Sequence, residues 1–352
     1  MMNTDYRNIP VEQKAIAVQR LTALWAFTES GLGGIMHAFK IPFTGLLVGG
    51  MALVMISLIA SIAGHPYKQV LKSAVIVLIV KAMVSPHTPP AAYMAVSFQA
   101  LLGYGLFRMM GVNMISILFL SVVSMIESAV QKVIILTLFL GQSLWKAMDA
   151  LVGYVAGQLG FATSNGSYWV IGIYMLIYIA GGFVVAWLAY RSIQRFRVIQ
   201  EEEIIFTGME AAPNTVERKK TYRKLWILII AALLLSLVLF VFAPGNRQGW
   251  LAAARSISWT VSAIFIWYVF LGPLLTRLIR QALEKKKGKY GDEVLQVLSF
   301  LPVLRRLATM AWQQSKKHSG FSRGYHFVSS LIHWSLIYSD GGQPGATAKQ
   351  PA

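Results

Sequence analysis

Residues 41–63 read IPFTGLLVGGMALVMISLIASIA, a run without one charged side chain. A helix rises about 1.5 Å per residue, so roughly 20 apolar residues reach across a hydrocarbon core of about 30 Å. Inside such a core every backbone N–H and C=O must be paired within a helix or around a closed barrel. The run is rich in Leu, Ile, Gly and Ala and lacks the alternation of a barrel strand, so it reads as a membrane-crossing helix. Pro42 suits its opening turn.

Upstream, Ile16, Leu21, Leu24, Trp25 and Phe27 recur at helical spacing between Lys14, Arg20 and Glu29. That pattern predicts an amphipathic helix lying on the cytoplasmic face, within an N-terminal segment 1–40. Downstream, a polar turn from Gly64 to Lys68 leads to a second span at 70–84, which three prolines, Pro86, Pro89 and Pro90, bring to a stop. A third span follows at 91–107, a fourth at 114–140 carrying Glu127, Gln131 and Lys132, a weaker Gly-rich fifth at 144–159, and a sixth at 168–190.

Segment 41–191 is therefore expected to be a six-helix, substrate-binding membrane domain. A charged cytoplasmic linker, 192–224, two further spans within 225–275, basic amphipathic helices at 276–338 and a disordered tail at 339–352 complete the reading. The fold class is an all-α integral membrane protein.

Composition agrees. Of 352 residues, 56% are hydrophobic and only 13% charged, about half the charge of a soluble domain; mean hydropathy is +0.58. No cysteine is present, so disulfides, thiolate metal sites and Cys nucleophiles are excluded. Residues 1–10 are polar, with Asp5 beside Arg7, unlike a cleaved signal peptide. The net charge of +18 brings no nucleic-acid motif with it, and it reads as Lys and Arg retained on the cytoplasmic side. With eight crossings from a cytoplasmic N-terminus, about twenty-five basic residues fall inside and five at the outer margin, among them Lys68, Lys72 and Arg108. Both termini are then cytoplasmic, in a cell (inner) membrane.

Ile41-Pro42-Phe43-Thr44-Gly45 with Gly49, Gly50 and Ala52, then Lys81-Ala82 to Ser85-Pro86, then Pro89-Pro90-Ala91-Ala92-Tyr93 to Gln99, resemble the substrate-binding (S) component of energy-coupling factor transporters. The likeness covers about residues 30–195. The second half is similar, more loosely, to the end of the transmembrane coupling (T) component, whose cytoplasmic helices carry small-Arg-small motifs that dock on an ATPase. Ser322-Arg323-Gly324 fits such a motif, and Arg305-Arg306 lies where the other belongs.

The resemblance implies roles. Gly45, Gly49 and Ala52 would pack against a coupling subunit, or equally against this chain's own helices, because small residues let backbones approach. Substrate would sit near the outer face under the loops at 64–69, 108–113 and 160–167. That loop set brings in Tyr67, Lys68, Arg108, Asn113, Asn165 and Trp169, residue types that also anchor membrane proteins at headgroups. Arg305, Arg306 and Arg323 would dock the ATPase, or the basic helices would lie on anionic lipid.

Glu127 stands out without any resemblance, since a carboxylate deep in a span faces a partner or a wet cavity. Its candidate partners are Lys132, Gln99, Lys72 and Lys81, and Lys81 could also snorkel to the interface. No histidine pair has metal-site spacing, and the Met-His start of cobalt and nickel members is missing, so no metal and no cofactor are expected. The chain has no P-loop, so any ATPase is a separate polypeptide.

The expected function is a non-enzymatic membrane subunit of an ATP-driven importer for a small vitamin-like micronutrient. Its partners are ABC-type ATPase subunits, a T-component-like membrane subunit and the bilayer, with no nucleic acid. The alternatives are an assembly or scaffold factor that binds a soluble partner through its C-terminal helices, and a lipid or prenyl enzyme. The enzyme would need clustered acids, which fourteen Asp and Glu, most of them in linkers, do not supply.

Overall fold

A computed structural model describes residues 11–33, 43–85, 88–160, 165–196, 259, 261–263 and 266–337. The expectations for the linker beyond 196, the span at 225–242 and the tail fall outside the described residues.

The described chain is helical, with no strand among its residues. Helix α1 spans Val11–Phe27 and continues into a π-helical turn at Thr28–Leu32. Then come α2 (Thr44–Ala63), α3 (Lys68–Val84), α4 (Pro90–Met110), α5 (Met114–Gln158) and α6 (Gly166–Phe196). A π-helical stretch at Ile266–Leu271 leads to α7 (Gly272–Lys287), α8 (Gly291–Ser315) and α9 (Gly320–Ile337). Four of these are long and apolar enough to cross a membrane: Thr44–Ala63, Met114–Gln158, Gly166–Arg195 and Gly291–Ser315.

Helix α5 is broken at Gly141, whose φ of 64° is a conformation that glycine reaches without a Cβ penalty. The break falls between the two spans read at 114–140 and 144–159. Trp145 closes it by donating its indole N–H to Thr137 Oγ1 at 3.1 Å.

The described residues form two compact units. The second takes in Val133–Val170 and Thr207–Leu271. Within it Phe139 meets Trp267 edge to face at 5.7 Å, and Ser167 N–H donates to the Asp149 carboxylate at 2.7 Å.

The first unit combines Met1–Lys132, Ile171–Phe206 and Gly272–Ala352, so it interleaves segments far apart in the chain. At its centre lies α1. Leu21, Leu24 and Trp25 are fully buried, and α1 packs on α2, α3, α8 and α9. This corrects the expectation of an interfacial helix: the six consecutive residues 21–26 are all buried, so α1 has no water-facing stripe there and only its first half is amphipathic. It runs parallel to α3, with Thr22 meeting Ser73 and, two turns on, Glu29 meeting Lys81.

The C-terminal helices also depart from expectation. Helix α8 has an apolar window of crossing length despite Arg305 and Arg306, and it packs with α9 against α1. Gln19 donates to Gln296 at 2.8 Å, Lys72 pairs with Glu293 at 2.8 Å, and Arg20 donates to the Leu336 carbonyl at 2.6 Å. Arg195 bonds Ser329 at 2.8 Å, which ties α6 to α9. These helices are an integral part of the same unit, because Val294, Val297, Leu304, Leu307 and Ala311 give α8 a continuous apolar face to bury.

The first unit has two distinguishable ends. One gathers the start of α1, the α2–α3 turn, the α4–α5 turn and the start of α8: Lys14, Ala63, Lys72 and Glu293 line one cavity, and Tyr67 packs on Phe107 at 6.2 Å. The other holds Glu29, Lys81, Tyr93, Gly45 and Gln131. Helix α6 runs parallel to α2, with Tyr178 beside Gly45 and Val185 beside Gly50, so Arg191 and Arg195 lie toward the Lys72 end.

Helix contacts are close where glycines meet. A Cβ at Gly182 would stand 2.9 Å from Val122 Cα, which is backbone and cannot swing aside. Gly182→Leu is expected to cost about 1–3 kcal/mol through overpacking. A lowered melting temperature in detergent would show it, and unchanged unfolding would contradict the packing of α6 on α5.

Candidate functional site

Helices α2, α4, α5 and α6 enclose a polar seam inside the first unit. Gly45 and Gly49 on α2 leave room for it: the position of a Gly49 Cβ is 3.1 Å from Gln99 Nε2, and that of a Gly45 Cβ is 3.6 Å from both the Ser128 side chain and the Tyr178 hydroxyl. Ala52 is fully buried. The small-residue stripe of α2 thus meets side chains of this chain's own α4, α5 and α6.

On α5, Ser121, Ser124, Ser128 and Gln131 recur at intervals of three and four, the spacing of one helix face. Glu127 borders that face. Its Oε1 accepts a hydrogen bond from Gln131 Nε2 at 2.9 Å, and Gln131 also reaches the Ala91 carbonyl at the start of α4. Of the expected cationic partners of Glu127, Lys72 is engaged by Glu293 and Lys81 by Glu29, and Lys132 is exposed. Four buried polar atoms on α4 and α5 have no hydrogen-bond partner: Gln99 Oε1, Ser121 Oγ, Ser124 Oγ and Glu127 Oε2. Gln99 itself is only 2% exposed. A buried acceptor left unpaired costs about 1–3 kcal/mol, so a cluster of them points to water, an ion or a ligand as the missing partner.

At the same end lies the feature that sequence reading missed. Lys81 Nζ meets Glu29 Oε2 at 2.5 Å with the side chains 3% and 5% exposed, and Tyr93 lies 5.9 Å from the ammonium. The lysine therefore does not snorkel. The available signal was the conjunction of one acid in 21–33 with one base in 73–84, both lone charges in apolar text. Glu29 sits in the π-helical turn, a distortion that recurs at functional sites.

The remaining expected residues are dispersed. Tyr67 caps α3 in a left-handed conformation, φ 59°, with its ring against Phe107 and His65. Lys68 is exposed, and Arg108 reaches only Tyr104 on its own helix, at 2.9 Å. Asn113 caps α5: its Oδ1 accepts from Ser116 N at 2.9 Å while Ser116 Oγ accepts from Asn113 N, a reciprocal pair typical of helix starts. Asn165 and Trp169 belong to the second unit. The loops at 64–69 and 108–113 do meet, yet a cavity beside the α2–α3 turn is bordered by α1 and α8, which the six-helix reading does not include.

Of the docking candidates, Arg305 is exposed on α8, and Arg306 is partly buried. Arg323 stacks over Trp312 at 4.2 Å with its Nε buried, so it is held within the α8–α9 hairpin. Among the described residues no group of three His, Cys, Asp or Glu is placed to hold a metal ion.

Comparison with known proteins finds no match: no family model, no curated protein and no solved structure corresponds to this chain.

Proposed function

We propose that this chain is a membrane transport subunit that admits a small polar ligand to the seam between α2, α4 and α5, in the manner of the energy-coupling factor importers its first half resembles. Separate ATPase subunits supply the energy. The observation that carries the reading is the set of unpartnered buried atoms at Gln99 on α4 and at Ser121, Ser124 and Glu127 on α5, a helix of membrane-crossing length. Polar groups in such helices are costly and are retained where a substrate or ion path needs them.

The charges give an orientation. With α1 counted as a crossing, Lys14, Lys68, Lys72, Arg108, Arg191 and Arg195 share one end, which the positive-inside rule assigns to the cytoplasm. The N-terminus stays cytoplasmic, while the α2–α3 turn moves from the outer to the inner side. The Glu127 end then opens outward, so ligand still enters from outside, through the end opposite the loops first expected to bind it. The chain's lack of cysteine makes this directly testable. A Cys at Thr88 should react with an impermeant maleimide in whole cells, and one at His65 only after permeabilisation; the reverse pattern overturns the orientation.

The function is tested by mass spectrometry of small molecules retained on gently purified protein. Gln99→Leu and Glu127→Gln should each lower retention about tenfold or more, the effect of losing a hydrogen bond to a buried polar or charged group. A correctly folded variant pair that retains ligand as the wild type does would remove the seam as the site. The scaffold reading keeps one specific observation, the exposed Arg305 on a helix packed into the unit. It predicts capture of a soluble partner that Arg305→Glu abolishes and that the seam variants leave intact.

A further inference from the structure

A second site lies apart from the seam, at the basic end. There α1, α3, α8 and the end of α2 surround an open cavity of about 480 Å³, within the range of small-molecule sites. Its inner wall is built from Val18, Thr22, Ser73, Ile76 and Val297. Both hydroxyls there are satisfied: Thr22 bonds the Val18 carbonyl and Ser73, each at 2.7 Å. With no polar atom left asking for water, the inner wall suits an apolar body.

The mouth is charged. Lys14, Lys72 and Glu293 border it, and the Gln19–Gln296 bond crosses it. Glu293 is held by Lys72 at 2.8 Å. Among the described residues no carboxylate pairs with Lys14, and Lys68 stands exposed one turn before Lys72. The mouth therefore carries surplus positive charge in front of an apolar wall.

We propose that this cavity binds an anionic amphiphile, its headgroup at Lys14 and Lys72 and the first part of its apolar body against Val18, Ile76 and Val297. Two sources have this chemistry, an anionic phospholipid of the surrounding leaflet and a soluble carboxylate with a short chain. Seated between α1, α3 and α8, such a ligand would bridge the C-terminal hairpin to the helices that flank the seam.

The test uses the full chain in phosphatidylcholine nanodiscs, with dioleoylphosphatidylglycerol added in one arm and octanoate in the other. Native mass spectrometry and thermal unfolding are the readouts. Retention and stabilisation by the lipid alone identify a lipid site, and competition by octanoate identifies a soluble amphiphile; both support the proposal. Lys14→Gln should weaken binding about tenfold, as expected for one lost charge-assisted hydrogen bond. Val18→Phe, which fills the cavity without altering a charge, should abolish it. Binding no stronger than to phosphatidylcholine, or folded variants that bind like the wild type, would overturn the proposal.

Discussion

Replacing Lys81 with methionine is expected to destabilise the protein by about 3–5 kcal/mol, because it strands the Glu29 carboxylate without its partner. The pair is nearly inaccessible, and the Nζ–Oε2 separation of 2.5 Å leaves no room for water between the charges. In surroundings this apolar, the desolvation of one unpaired ion outweighs the packing that methionine retains. Glu29→Leu should cost a similar amount, by stranding the ammonium. The decisive comparison is the double variant Glu29→Leu with Lys81→Met: replacing both ions by apolar groups is often neutral, so it should recover most of the loss. Thermal unfolding of the four proteins in one detergent closes the cycle. Additive single effects, with no recovery in the double variant, would show that the pair does not exist as described.

The second large effect concerns the C-terminus. Deleting residues 277–352 removes α8 and α9 and most of α7, which bares the α1 surface that they cover. If these helices were an appended docking module, the remaining chain would stay folded and keep its ligand while losing transport. The packing argues otherwise. Fully buried Leu304, Ala311 and Leu331 would vanish, along with the partners of Lys72, Gln19, Arg20 and Arg195. The truncated chain is expected to aggregate on size exclusion or to be lost from the membrane fraction. A monodisperse truncation with the wild-type melting temperature would separate the C-terminal hairpin from the first unit.

Much of the secondary structure was legible in the chain itself. The charge-free run at 41–63 sits over α2, the proline cluster at 86–90 separates α3 from α4, and Gly141 divides α5 between two spans read separately. These are local signals: hydropathy over a helix length, proline without an N–H, glycine at positive φ. Helix α1 reads as interfacial because Lys14, Arg20 and Glu29 suggest a polar stripe, yet Arg20 finds the Leu336 carbonyl 316 residues away and Glu29 pairs with the buried Lys81.

Glu127 was recognisable as unusual from its position in an apolar span. Its neighbour was not: of the three expected cations, Lys81 and Lys72 are claimed by Glu29 and Glu293 and Lys132 is exposed, and a glutamine one turn along the same helix takes their place. Asn113 shows the converse, a polar residue in a suggestive loop whose side-chain oxygen starts α5 while its amide donates to the Met110 carbonyl at the end of α4.

By itself, then, the order of residues determined that the described residues are helical, with segments of membrane-crossing length, because backbone pairing and apolar length act within single segments. Only the tertiary structure decided that α1 is central and that α8 and α9 close over it. It alone brought Glu29 to Lys81, 52 residues on, and left the atoms of the seam unpaired. Those outcomes depend on which faces meet, and charges far apart in sequence acquire partners only when helices pack.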